Sequence, residues 1–311
     1  MTRAVRFGIC TDQNMPWLKT AGRWQLFEEL GIDSAWNCDH LVQPSRPEGP
    51  YFEAWTLLAA LAAVTKRIRV GVLVTSNTFR HPAILAKEAV TLDHISNGRL
   101  DIGMGAGWYE PEHRMFGIDF PETRELVSRF KEAVEVVDAM LRNETTSYTG
   151  KYYQLREATS RPAPVQKPRP PLTLGAFGPR MLKIAAAYAD TWNAFGSVEE
   201  IRQRNDLLDQ YCSEIGRAPN SLGRSLYCWA KNADTDPWLS LDAFEDVIGR
   251  YMEAGMNEFI LDQPRDDQIH ILEKAAADVI PTLRTQGTAE RQPLTGVRIS
   301  TDNWHQPKDY L

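Results

Sequence analysis

A closed parallel barrel of eight strand-and-helix pairs, the (β/α)8 or TIM-barrel fold, is the architecture this sequence predicts, and three observations point to it. Short apolar runs recur at 5–10, 34–38, 68–75, 100–104, 171–176, 191–194, 225–230 and 258–262. Most are too short and too continuously apolar to be half-exposed antiparallel strands, as expected where both faces of a sheet are covered. Between them lie stretches of helical period. Leu126, Phe130, Ala133, Val134, Val137, Met140 and Leu141 share one stripe, and Leu272, Ala275, Ala276, Val279, Ile280 and Leu283 share another, each requiring a sheet to cover it. Finally, Gly31, Gly216 and Gly255 stand just after helical stretches, at the cap position that favours glycine. An open doubly wound sheet is the runner-up, but no glycine fingerprint follows the first strand.

Taken along the chain, the elements carry candidate chemistry at their carboxyl ends, where parallel α/β folds keep their sites. The first strand, Val5-Arg6-Phe7-Gly8-Ile9-Cys10, opens the barrel. A second, Ile32-Asp33-Ser34-Ala35-Trp36, runs into Asn37-Cys38-Asp39-His40 and sets an acid beside an imidazole. Imidazole is the side chain whose ordinary pKa suits proton transfer near neutral pH; alternatively, His40 only ends a strand and bonds a backbone carbonyl. The third strand runs out into Thr75, Ser76, Asn77 and Thr78 before His81-Pro82. Those groups suit the polar edge of a planar heterocycle, or else Asn77 and Thr78 cap the next helix, with His81 structural. The fourth ends in Gly103-Met104-Gly105-Ala106-Gly107-Trp108-Tyr109-Glu110-Pro111-Glu112-His113. Its glycines permit close backbone approach and Trp108 offers a stacking surface, while Glu112 and His113 belong either to the site or to a helix start.

An insertion at 143–170 follows, combining Tyr148-Thr149-Gly150-Lys151-Tyr152-Tyr153 with a proline-rich run. It reads as a hairpin and an extended strap over the barrel mouth, being too stiff for helix and too long for an ordinary connection. The fifth strand then passes through Gly175-Ala176-Phe177-Gly178-Pro179-Arg180 straight into a helix. Proline at the first helical position, free N–H groups and Arg180 suit a phosphate; an ordinary packed turn is the alternative. Trp17, Phe52, Trp55, Trp108 and Trp192 are the aromatic residues expected to shape a mainly apolar substrate pocket.

Composition narrows the function classes. With 311 residues, 43% hydrophobic, one large core is possible, and 1–285 reads as a single barrel domain followed by a polar tail at 286–311. A net charge of −6 without any Lys/Arg run gives no footprint for nucleic acid, so a small-molecule substrate is expected. No run reaches membrane-spanning length and no export signal is visible, which predicts a cytoplasmic protein. The four cysteines lie far apart and the six histidines show no paired spacing, so neither a disulfide framework nor a metal site is expected, and a metal-dependent hydrolase is disfavoured.

These motifs, in ordered succession, resemble the bacterial luciferase-like family of flavin and deazaflavin monooxygenases and oxidoreductases. The resemblance covers about 3–285 and is carried by Asp39-His40, Phe79-Arg80-His81-Pro82, Leu92-Asp93-His94-Ile95-Ser96-Asn97-Gly98-Arg99-Leu100, Gly105-Ala106-Gly107-Trp108 with Glu112, Pro164-Val165-Gln166-Lys167-Pro168, and Ala189-Asp190-Thr191-Trp192-Asn193. It implies a (β/α)8 barrel whose cofactor ring lies in the mouth against a non-proline cis peptide at Leu73-Val74, near Asp39, Thr75, Asn77 and Gly107. The phosphate end would lie on Gly175, Ala176, Gly178, Pro179 and Arg180. Both FMN and the deazaflavin coenzyme F-420 occupy this fold. The Asp39-His40 pair resembles the deazaflavin branch, which implies hydride transfer between F-420 and a small organic substrate, with Asp39 and His40 as the catalytic pair at the reacting face and His40 moving the proton. An FMN-dependent monooxygenase using oxygen, supplied by a separate flavin or deazaflavin reductase, is the alternative, and a flavin-binding barrel without turnover is a third reading. The resemblance also implies a homodimer. Where sugar-phosphate dehydrogenases of this branch carry an acidic residue after the fourth-strand glycines, this chain has Trp108, which argues against sugar-phosphate oxidation.

Overall fold

The computed structural model describes residues 4–228 and 234–286. Its strands are β1 Arg6–Cys10, β2 Ser34–Asn37, β3 Arg69–Val72, β4 Thr75–Ser76, β5 Leu100–Gly105, β6 Thr145–Thr149, β7 Gln154–Thr159, β8 Leu172–Gly175, β9 Thr191–Ala194, β10 Gly223–Cys228 and β11 Glu258–Asp262. Nine of them form one sheet in the order β3-β2-β1-β11-β10-β9-β8-β5-β4, and β3 also pairs with β5, which closes the circle. Every pairing around it is parallel. Because β3 and β4 are two pieces of one stave, the barrel has eight staves, joined by helices on the outside as expected.

Two expected strands, 191–194 and 258–262, coincide with β9 and β11. The third, expected unbroken over 68–75, is interrupted at Leu73-Val74, where the peptide bond is cis. The seventh was expected at 225–230 but starts earlier, because the Gly223 N–H already bonds the Asp190 carbonyl at 2.9 Å and Gly223 lies in register with Thr191. Residues 229 and 230, and the tail beyond Gln286, lie outside the described residues. The three cap glycines do adopt positive φ, 73° at Gly31, 73° at Gly216 and 95° at Gly255.

Alternation along each strand separates two packed layers. Outward positions such as Phe7, Ile9, Val70, Ile102, Leu174 and Trp192 join the helices in the main core. Inward positions build a second cluster of Cys10, Trp36, Leu73 and Ile260. The Trp36 indole fits inside the barrel because its neighbours are glycines. A Cβ on Gly71 would lie 2.4 Å from Trp36 Cζ3, and one on Gly8 would lie 2.5 Å from Ser34 Oγ, the atom that accepts the Trp36 Nε1–H at 2.8 Å.

At the amino end the interior is plugged by charge. Arg69 forks onto Asp101 at 2.7 and 2.6 Å, and Arg6 faces Glu258 at 3.5 Å. The carboxyl end remains to carry chemistry.

The insertion forms the expected hairpin, β6 antiparallel to β7, but its course corrects the strap. The hairpin reaches the mouth through Tyr153, whose hydroxyl accepts from Asn77 Nδ2 at 3.3 Å. The proline-rich run then descends outside helix Pro82–Ser96: His94 Nε2 donates to the Ala163 carbonyl at 2.9 Å. Gln166 ends near the barrel floor, donating to Asp93 Oδ1 at 2.8 Å and to the Leu100 carbonyl at 2.7 Å. A proline-rich segment has few free N–H groups, so it takes its contacts from side chains of the helix beneath rather than spanning open space. The helix itself is capped by the His81 Nδ1, which accepts from the Ala83 N–H at 3.2 Å, not by Asn77 or Thr78. Among the described residues no helix is long and apolar enough to cross a membrane.

Candidate active site at the carboxyl end of the barrel

β2 ends at Asn37, and the chain leaving it delivers Cys38, Asp39 and His40 to the mouth. β5 delivers the other half of the site through Gly107, whose φ of 90° turns the chain into the short helix Glu110–Phe116. The two halves meet at a hydrogen bond between His40 Nδ1 and Glu112 Oε1, 2.8 Å long. Glu112 is 1% exposed, and its second oxygen accepts the Leu41 N–H at 2.9 Å. A carboxylate so placed accepts, so Nδ1 carries a proton, and in the neutral ring the lone pair is then at Nε2. Among the described residues Nε2 has no protein partner, and the side chain is 15% exposed. Trp108 and Tyr109 meet the ring edge-on at 5.6 and 6.3 Å.

Asp39 occupies a different environment. It is 3% exposed and accepts from Arg80 through both oxygens, at 2.6 and 3.1 Å, and from the Ser76 N–H at 2.8 Å. Burial pushes its pKa above the ordinary carboxylate value, while the Arg80 guanidinium and the Ser76 amide pull it back. This corrects its placement at the reacting face: both oxygens are spent on tying the segment after the cis peptide to the end of β2. Arg80 also lies 3.5 Å from Glu53 and from Glu88, so the buried charge is neutralised by a network.

Val74, just past the cis bond, is surrounded by glycines from two other staves. An added Cβ would lie 2.6 Å from its Cγ2 at Gly105 and 3.2 Å at Gly175. Gly175 therefore makes room for Val74 rather than for an anion. Gly178, by contrast, has nothing within 4 Å of an added Cβ and caps helix Pro179–Tyr188, whose first N–H groups have no intrahelical acceptor. Free N–H groups at a helix start are the kind of donors an anion takes. Arg180 turns aside, donating to the Arg124 carbonyl at 3.4 Å and to Ser128 Oγ at 3.1 Å. Ala176 is buried, its carbonyl taken by Trp192 Nε1 at 2.8 Å. Thr75 is also buried and accepts from Trp55 Nε1 at 3.2 Å.

The expected aromatic pocket divides. Trp192 is fully buried and Trp55 is 6% exposed, both in the layer between barrel and helices, so neither lines a pocket. Trp17 is half-buried against that same layer, and Phe52 is 46% exposed on the rim. Trp108 is the member in ring contact with His40. His113 also leaves the list: its Nε2 meets Thr78 Oγ1 at 2.6 Å, its Nδ1 donates to the Tyr109 carbonyl at 2.8 Å, and its ring packs between Phe79 and Phe120 at 4.9 and 4.7 Å.

Other mouth residues escaped the sequence reading. Gln13 is fully buried; its Oε1 accepts from the Cys38 N–H at 2.7 Å and the Tyr51 hydroxyl at 3.1 Å, and its Nε2 donates to the Phe52 carbonyl at 2.7 Å. Asp262, the last residue of β11, accepts from the Tyr227 hydroxyl at 2.6 Å. Burial raises its pKa from 3.8 to about 7, with Asp12 and Asp236 adding to the rise and Tyr227 opposing it. Asp262 was findable, since it ends a strand at the functional face. Gln13 carries no such signal.

An eight-stave parallel barrel with a cis-bonded third stave and an imidazole at the second defines a class. The chain belongs to the luciferase-like monooxygenase family, whose sequence profile matches residues 6–282. Over 84% of its length it is 27% identical to the F420-dependent glucose-6-phosphate dehydrogenase of Amycolatopsis mediterranei, covering 92% of that protein. In fold it is similar to the coenzyme F420 dependent tetrahydromethanopterin reductase of Methanopyrus kandleri, with a TM-score of 0.78, 21% identity, and coverage of 90% of this chain and 100% of that one. It is also similar to the oxygenating constituent of the 3,6-diketocamphane monooxygenase of Pseudomonas putida in complex with FMN, with a TM-score of 0.71, 17% identity, and coverage of 90% and 99%.

Proposed function

We propose that this chain is an F-420-dependent oxidoreductase passing hydride between the deazaflavin and a small organic substrate, with His40 as the proton carrier. The observation that carries the reading is the His40–Glu112 bond, which orients the ring and leaves Nε2 toward the mouth as a base. Names of the relatives support the coenzyme. Leu73, Val74, Thr75, Asn77 and Gly107 would hold the ring, and the amides after Gly178 the phosphate. When bound, the deazaflavin supplies the carbon that accepts or gives up hydride. In the oxidative direction Nε2 takes the substrate hydroxyl proton as the carbon-bound hydrogen departs; in reduction it returns that proton. Glu112 stabilises the imidazolium formed between the two, and Asp39 acts through Arg80 and Ser76 by positioning. Trp108, beside His40, takes the place of a sugar-phosphate enzyme's acid, so the substrate is read as a less charged alcohol or carbonyl compound.

The same reading takes the protein as a cytoplasmic homodimer. Helix Ala54–Val64 carries no charged side chain yet leaves Thr56, Ala60 and Ala63 exposed, and Ile84 and Ile95 are exposed on helix Pro82–Ser96 beside it, which supports a partner on that face. Titration with F-420 and with FMN, followed by tryptophan quenching, tests the coenzyme. F-420 is expected to quench and to be turned over with an alcohol or ketone. Tight FMN binding with no response to F-420 replaces the proposal with an FMN monooxygenase fed by a reductase.

A further inference from the structure

Two thiols lie inside the mouth and have no part in the proton transfer. Cys10 is the last residue of β1, 3% exposed, and Cys38 is the first residue beyond β2. Their sulfurs are 3.5 Å apart, and both cysteines are free. Cys38 immediately precedes Asp39 and His40 in the chain.

We propose that Cys10 and Cys38 form a reversible disulfide that switches the site off under peroxide stress. Hydrogen peroxide is the oxidant. The half-buried Cys38 gives up its proton and its sulfur attacks one peroxide oxygen; the O–O bond breaks, the departing hydroxide takes up that proton and leaves as water, and Cys38 becomes a sulfenic acid. The Cys10 sulfur then attacks the Cys38 sulfur, the S–O bond breaks, and a second water leaves carrying the thiol proton. Two thiols give up two electrons and two protons in all, and peroxide is reduced to two waters. The order follows from access: Cys10 is deeply buried, and its hydrogen bond to Cys38 together with that burial pushes its thiol pKa up, so the more accessible sulfur meets the oxidant first.

Closure has a geometric cost that falls on one side. The sulfurs must approach from 3.5 Å to about 2.05 Å. Cys10 is held in register with Asp262 on one neighbour and Trp36 on the other. Cys38 lies past the last paired residue of its stave, with its N–H on Gln13. Cys38 therefore moves, and the shift passes directly to Asp39, with its Arg80 and Ser76 bonds, and to His40, with its Glu112 bond. A displacement near 1 Å at positioning groups lowers rates by about 10²-fold. Intracellular disulfides of this kind are redox-sensing rather than structural.

The effect on rate rests on the His40 reading; formation of the bond does not. The intact protein, treated with hydrogen peroxide under denaturant-free conditions, is expected to lose about 2 Da, two hydrogens, before any alkylation, and after alkylation and digestion to yield a cross-linked peptide joining residues 10 and 38, both reversed by dithiothreitol. Coenzyme-linked turnover should fall at least tenfold in parallel. Cys10→Ala should keep turnover within about twofold when reduced and abolish the cross-link, with Cys38→Ala as the second variant should the first fold poorly. Addition of about 32 Da at Cys38, a sulfinic acid with no cross-link, overturns the proposal. So does a cross-linked protein with unchanged turnover. A cross-link in a protein that turns over no F-420 at all supports the disulfide and counts against the function instead.

Discussion

The two ends of the barrel are built from the same staves and treat buried charge in opposite ways. At the amino end each interior charge is answered by another: Arg69 by Asp101, Arg6 by Glu258. At the carboxyl end Asp39 is answered by Arg80, but two other groups are answered only in part. Glu112 satisfies one nitrogen of His40 and leaves the other open, and Tyr227 satisfies one oxygen of Asp262. A closed network holds a fold together, whereas reactivity needs a group whose hydrogen bonds fix its direction without using up its lone pair.

The sharpest test of that contrast lies at the mouth. His40→Ala should lower F-420-linked turnover by roughly 10²–10⁴ while leaving the melting temperature near that of the parent. Glu112→Gln should lower kcat by a comparable factor, up to about 10⁴-fold, because an amide offers its one oxygen to either the Leu41 N–H or Nδ1, and an NH2 turned to Nδ1 selects the wrong tautomer. Equal turnover in Glu112→Gln and the parent would remove the distinction between the ends. At the floor the pattern should invert. Arg69→Ala leaves Asp101 buried without its fork and is expected to destabilise by about 3 kcal/mol, seen in urea unfolding, with turnover per folded molecule unchanged.

A fourth variant probes the layer between the ends. Gly71→Ala drives a methyl to 2.4 Å from Trp36 and should cost about 1–3 kcal/mol by overpacking. The last effect is a dependence on pH. The pKa of Asp262 is raised in the fold from 3.8 to about 7, so its contribution to stability is fully present below about pH 4 and lost as pH rises through about 7. Asp262→Asn removes that loss. Relative to the parent, its melting temperature should rise by roughly 4 °C on going from pH 5 to pH 8, about 2–3 kcal/mol of stability that the parent alone loses over that range; a difference independent of pH would show that the carboxyl is not held protonated.

How much of this was legible in advance depends on whether the signal was local. Continuous apolar runs and cap glycines announced the staves, and the strand-end rule found Asp39 and His40. The family resemblance pointed to the cis bond at Leu73-Val74. What failed was phase and partnership. Trp192 reads like a pocket aromatic, but it alternates with Asn193, whose amide turns inward to Ser225 Oγ at 3.0 Å, so the indole must face the helices. Asp39 looked like a free acid because Arg80, its partner, lies 41 residues away. Glu112 was placed in the site, but its bond to His40, across 72 residues, follows from closure of the barrel and from no local pattern.

The single amide of Gln13 ties the segment after β1 to the one after β2 and to residues 51 and 52. Anyone grafting a foreign loop onto this scaffold to alter what it accepts would need to transplant all three anchor points together. Exchanging one alone strands a buried amide and lets the neighbouring connections drift.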